Sequence, residues 1–153
     1  MEVDPTQLQG VVLLSHPALE GSYFEKCVIL IVLHDNVNGA LGFVLNRPIP
    51  NTLGDYLPTL PDLLGATPVF RGGPVHADQI SIMGFDYDSE SVSINFSSHL
   101  TPEQAQAYLN DTPNAKLWSF LGYAGWEASQ LEEEIENGEA VKAGRVQRGL
   151  VCF

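Results

Sequence analysis

The stretch from Cys27 to Pro48 constrains this chain more than any other: CVILIVLH, then DNVNG, then ALGFVLNRP. Asn38-Gly39 between two β-rich apolar runs is a hairpin signal, because both residues tolerate the positive φ that a tight turn demands. Val28 to Leu33 is apolar at every position rather than at alternate ones. A strand of that kind is buried on both faces, so the hairpin is expected in the middle of a sheet with structure on either side.

The chain around it supplies more strands than helices. Gly10–Ser15 reads as a first strand, closed by His16-Pro17 and a loop through Gly21, with a short helical turn over 22–26. Thr52-Leu53-Gly54-Asp55 has the form of a capping box, opening a helix that Pro58 and Pro61 keep short. PVFRGGPV at 68–75 is a brief interrupted strand. Gln79–Phe85 and Ser91–Ser97 follow, joined by an acidic turn over 86–90. Strict alternation in the last of these predicts one solvated face. Thr101-Pro102-Glu103-Gln104 starts a helix running to about Asn110. KLWSFL at 116–121 is a further strand, and Trp126–Asn137 a last helix with Ala128, Leu131 and Ile135 facing inward and Gly138 as its stop. Without regular βαβ alternation, this order indicates a single α+β domain with a mixed, mostly antiparallel sheet.

Charge narrows the function. Nineteen acids against seven bases give −12. All the acids precede Lys142, so the body stands at −15 and the tail, with Lys142, Arg145 and Arg148, at +3. Such a body repels the phosphate backbone that supplies most nucleic-acid affinity, which disfavours direct DNA binding. The basic tail is expected to fold back toward the acidic last helix. The N-terminal decapeptide is polar and acidic, unlike a signal peptide, and no apolar run is long enough for a bilayer, so the cytoplasm is the expected location. Cys27 opens a buried strand and reads as a core residue; Cys152 lies in the tail and stays open.

Two loops look like sites. In Arg71-Gly72-Gly73-Pro74, adjacent glycines allow close backbone approach and the Arg offers a fork to an anion; a tight bend is the plainer reading, since P-loop spacing is missing. Asn46-Arg47-Pro48 brings a second Arg to a strand end. If Arg47 and Arg71 converge, they make a positive pocket on an acidic protein. His16, His34 and Asp35 are candidates for an acid/base site beside such a clamp. No HExxH, CxxC or GxSxG stands behind a metal, cofactor or nucleophile. Asn46, Arg47, Arg71, Gly72 and Gly73, with His16 and His34, are therefore the candidate ligand-binding residues, with no catalytic set. The expected partner is a protein or a small anionic ligand, and an enzyme with a His/Asp and Arg anion clamp is the alternative.

His16-Pro17-Ala18-Leu19, Phe24, HDNVNGALGFVLNRP, VFRGGPV and LGYAGWEASQLEEEI occur in one order over about residues 13–135. Together they resemble the YqgE/AlgH family. That resemblance implies a compact α+β fold with a branching sheet, little known biochemistry, and a transcriptional-regulator label that one member's effect on alginate production suggested. The chain departs from the family after the acidic helix: GEAVKAGRVQRGLVCF at 138–153 makes a divergent or truncated basic tail without the family's final helix, with Val151-Cys152-Phe153 standing for its late strand.

Overall fold

The computed structural model describes residues 7–15, 26–90, 93–145 and 147–148. The loop expected from His16 to Gly21, the helical turn over 22–25 and the residues Cys152 and Phe153 lie outside them.

The hairpin forms as its sequence requires. β2 (Val28–Asp35) and β3 (Gly39–Val44) pair antiparallel, with Asp35 opposite Gly39 across a three-residue turn. Gly39 has φ +96, and a Cβ there would lie 2.0 Å from the Trp126 carbonyl oxygen. Asp35 fastens the turn: its Oδ1 accepts from the amides of Val37 (2.6 Å) and Asn38 (3.2 Å). Ile29 and Ile31 of β2 enter one core layer and Leu30 and Val32 another, so the strand is buried on both faces.

Around it the described residues form ten strands and four helices. The remaining strands are β1 (Val11–Ser15), β4 (Pro48–Thr52), β5 (Pro68–Arg71), β6 (Val75–Asp88), β7 (Ser93–Leu100), β8 (Lys116–Trp126), β9 (Ala140–Arg145) and β10 (Gln147–Arg148). Their order is β10-β7-β6-β8-β3-β2-β1-β9, with β4 and β5 as a branch. β8 is where the sheet divides. One edge pairs with β6; the other pairs with β5, in parallel, at Ser119–Leu121 and then with β3 at Ala124–Trp126. The two ends of the strand order meet in the C-terminal segment. Arg145 pairs with Val11, and Gln147, two residues on, pairs with Asn95 in β7. The sheet is therefore curled, and Phe43, Phe96, Phe120, Met83 and Leu30 fill its inner face. The Phe43 and Phe120 rings stack at 4.7 Å.

Helices α1 (Leu53–Tyr56), α2 (Asp62–Gly65) and α3 (Pro102–Asp111) cover one outer face, over Ile82 and Leu117. α4 (Gln130–Glu136) covers the other through Leu131 and Ile135. The expected capping box is present at Thr52, whose N–H donates to Asp55 Oδ2 (2.8 Å), and the helix start at Thr101 forms another, with Gln104 N–H donating to Thr101 Oγ1 (3.1 Å). Tyr108 of α3 lies over Gly84 and donates its hydroxyl to Asp86 Oδ1, while Asn95 donates to Asp86 Oδ2 (3.1 Å).

Four expectations change. The last helix begins at Gln130 rather than Trp126, because β8 continues through Gly122–Gly125 to pair with β3; Ala128 is exposed instead of inward. β7 is not solvated along one face: Phe96 and Ser97 are both fully buried, since α3 lies on one side and the inner layer on the other, while Ile94 is 50% exposed. β6 runs through Asp88, so the acidic turn shrinks. Pro48, expected at a strand end, instead opens β4, an edge strand where a missing N–H costs no ladder bond. The tail folds back to pair with β1, and no ion pair joins it to the acidic α4 among the described residues.

Candidate functional site

The two arginine loops meet. The register that sets Pro48 opposite Phe70 sets Arg47 opposite Arg71, and Arg71 N–H donates to the Arg47 carbonyl at 2.8 Å. Opposite residues of an antiparallel pair project to the same face with Cβ atoms about 5 Å apart. Arg47 is half-buried, and its Nη2 donates to Cys27 Sγ at 3.3 Å. Burial pushes the Cys27 thiol above its ordinary pKa, although the nearby Arg47 charge pulls it down. The residue sits in the core beneath the arginine as a protonated thiol. Arg71 is exposed and pairs with no carboxylate among the described residues.

The other candidates around this pair hold the backbone. Asn46 Oδ1 accepts from Val28 N–H (3.0 Å) and its Nδ2 donates to the Lys26 carbonyl (2.9 Å), tying the end of β3 to the start of β2. Gly72 and Gly73 lie at the division of the sheet. Gly72 N–H donates to the Leu121 carbonyl (2.7 Å) and its own carbonyl accepts from Val44 N–H (2.8 Å). A Cβ on Gly72 would fall 2.4 Å from the Gly122 oxygen, and one on Gly73 2.1 Å from the Tyr123 carbonyl carbon. The glycines thus let β3, β5 and β8 approach, and through that approach they position Arg71.

His34 stands apart. It faces Ala40 near the hairpin turn, whereas Arg47 follows the far end of β3, seven residues away and roughly 20 Å along the strand. An acid/base site combining His34 with either arginine is not assembled. The His34 side chain is 2% exposed. Its Nδ1 accepts from Leu8 N–H (3.1 Å) and has Gln7 Oε1 at 2.7 Å; its Nε2 is 3.3 Å from Glu132 Oε1 on α4. Asp35 is engaged by the turn, whose amides hold its carboxyl below the usual range. His16 lies outside the described residues. Among those described, no group of three His, Cys, Asp or Glu side chains is placed to hold a metal. No sequence signal announced the Cys27–Arg47 contact, which joins residues 20 apart only because β2 and β3 are antiparallel.

A sequence model of the AlgH-like family matches residues 12–146. A UPF0301 protein from Xanthomonas campestris is 38% identical over 147 residues, covering 88% of this chain and 76% of its own. Another from Streptomyces coelicolor is 35% identical over 142 residues, covering 87% and 73%. Among solved structures, the solution structure of the AlgH protein from Pseudomonas aeruginosa superposes with a TM-score of 0.65 at 25% identity, over 94% of this chain and 80% of that one. A Corynebacterium diphtheriae protein at 22% identity shares the fold, with a TM-score of 0.64.

Proposed function

The chain belongs to the AlgH-like family, and from that premise we propose that it works by binding rather than catalysis, holding the anionic group of a small ligand or of a partner protein between Arg47 and Arg71. The observation that carries this reading is the hydrogen-bonded Arg47–Arg71 pair on a chain of net charge −12. An anion shared by two guanidinium forks takes charge-assisted hydrogen bonds from both. Cys27 below and Asn46 beside it fix one arginine, while Arg71 reaches into solvent. The cytoplasm is part of this proposal, as is an indirect place in gene regulation; direct contact with DNA is not, given the acidic body.

Titration with inorganic phosphate and with acetate at low salt, followed by amide chemical shifts, tests it. Shifts centred on Arg47 and Arg71 are expected, weakened at least about tenfold in the Arg47→Ala/Arg71→Ala double variant, since charge-assisted hydrogen bonds contribute about 1.5–3 kcal/mol each. Unchanged affinity in a folded double variant would overturn the proposal.

A further inference from the structure

The opposite end of the hairpin carries a second feature of the reverse polarity. A cleft of about 460 Å³ opens between the turn and β8, lined by Leu33, Asp35, Asn38, Leu41 and Tyr123, with Gln9 at one side. Its volume lies in the range of ligand sites. Leu41 and Tyr123 pack against the inner core layer, so the floor is apolar and fixed by the sheet. Asp35 supplies a carboxylate, whose Oδ2 also accepts from Asn38 Nδ2 (3.3 Å); His34 lies beside it, and no Lys or Arg lines the cleft. The Tyr123 ring is half-buried with the His76 ring at 5.7 Å, and its hydroxyl bonds no described residue. Leu33 is 43% exposed and Val37, at the tip of the turn, 81%.

Each element has a structural duty that explains part of it, but not their combination. Asp35 fastens the turn chiefly through Oδ1, an acceptor that an Asn would keep. The apolar side chains left open around the rim have no such duty.

We propose that this cleft receives the guanidinium of an arginine side chain from a partner polypeptide. The aliphatic stem would lie along Leu33 and Leu41, and the planar head against the Tyr123 ring and the Asp35 carboxylate. A guanidinium fits better than an ammonium, because it stacks on an aromatic ring while its fork addresses a carboxylate. A polypeptide fits better than a free cation, because the exposed Leu33 and Val37 border the opening, where flanking residues of a chain would cover them. The site is independent of the Arg47–Arg71 pair, roughly 20 Å away along β3.

Amide shifts are followed while the protein is titrated with acetyl-Leu-Arg-Leu-amide, with its norleucine and glutamate counterparts, and with butylguanidinium. The arginine peptide is expected to move the amides of Leu33, Asp35, Ala40 and Tyr123 in the millimolar range. It should bind roughly threefold to fivefold more tightly than the norleucine peptide, the scale of one exposed cation–π contact, and more tightly than butylguanidinium. Asp35→Asn, which keeps an acceptor for the turn, and Tyr123→Leu should each remove that preference. Equal response to all three peptides, silence up to tens of millimolar, or butylguanidinium binding as tightly as the peptide would overturn the proposal.

Discussion

The imidazole of His34 and the carboxylate of Glu132 meet at 3.3 Å and join two elements 98 residues apart, the central hairpin and the helix that covers it. The ring's other nitrogen takes the Leu8 amide, so one buried side chain also secures the segment entering β1. His34→Leu should keep the volume but strand the Leu8 N–H. A loss of about 1–3 kcal/mol is expected from urea unfolding. Glu132→Gln, which retains an acceptor at a partly exposed position, should cost less than about 1 kcal/mol.

Two glycines with similar backbone angles should respond differently to the same substitution. Gly39 (φ +96) has the Trp126 oxygen 2.0 Å from where a Cβ would stand, whereas Gly138 (φ +78) has nothing within 4 Å. Gly138→Ala carries only the left-handed penalty of about 1–2 kcal/mol. Gly39→Ala must also part β3 from the end of β8, so its loss of stability should be clearly larger. Thermal unfolding of the two variants side by side gives the comparison.

Alkaline pH should loosen the α3 face. Burial, followed by the Asp86 bond and charge, raises the Tyr108 phenol far above its ordinary value near 10. A raised folded-state value means that the stabilisation is complete below the unfolded value and is lost as pH climbs beyond about 10. Tyr108→Phe should be less stable at neutral pH, because Asp86 loses a donor, yet show a shallower fall above pH 10. Urea midpoints measured between pH 8 and 11 for both proteins decide it. Parallel curves would mean that another group governs the alkaline loss.

The inner layer offers a packing test. Phe120 is fully buried and stacks on Phe43. Phe120→Ala should cost about 3–5 kcal/mol, and Phe120→Leu distinctly less. Denaturant unfolding with an unchanged slope would attribute both losses to the core rather than to a looser folded state.

Local chemistry was readable from the sequence where a few adjacent residues decide it. Asn38-Gly39 placed the hairpin turn, Thr101 and Gln104 the start of α3, and the unbroken apolar run of β2 its two-sided burial. Features set by partners far along the chain were not. The sequence ends the strand at Leu121, yet β8 runs on through Gly122, where the Gly73 and Val75 carbonyls come close, and Gly125, which pairs with Leu41 of β3. The serines of β7 suggested a wet face because nothing local signals that α3 lies above it. In the candidate site the arginines were legible as residue types and their meeting only as a condition. Register brings their backbones together, and register depends on the whole sheet. The half-open ring of Tyr123 depends on where the hairpin turn ends, which no neighbouring residue marks.

The pairing of β1 with β9, and of β10 with β7, also bears on how the protein comes into being on a ribosome. Synthesis runs from the N-terminus at about 5–20 residues per second, and β1 must wait for residues 140–145 to emerge before its second neighbour exists. Until then the hairpin, β6 and β8 can assemble, but the seam stays open and β1 and β7 each present an unpaired edge. Released chains ending at residue 139 and at residue 148 should therefore differ sharply in protease resistance.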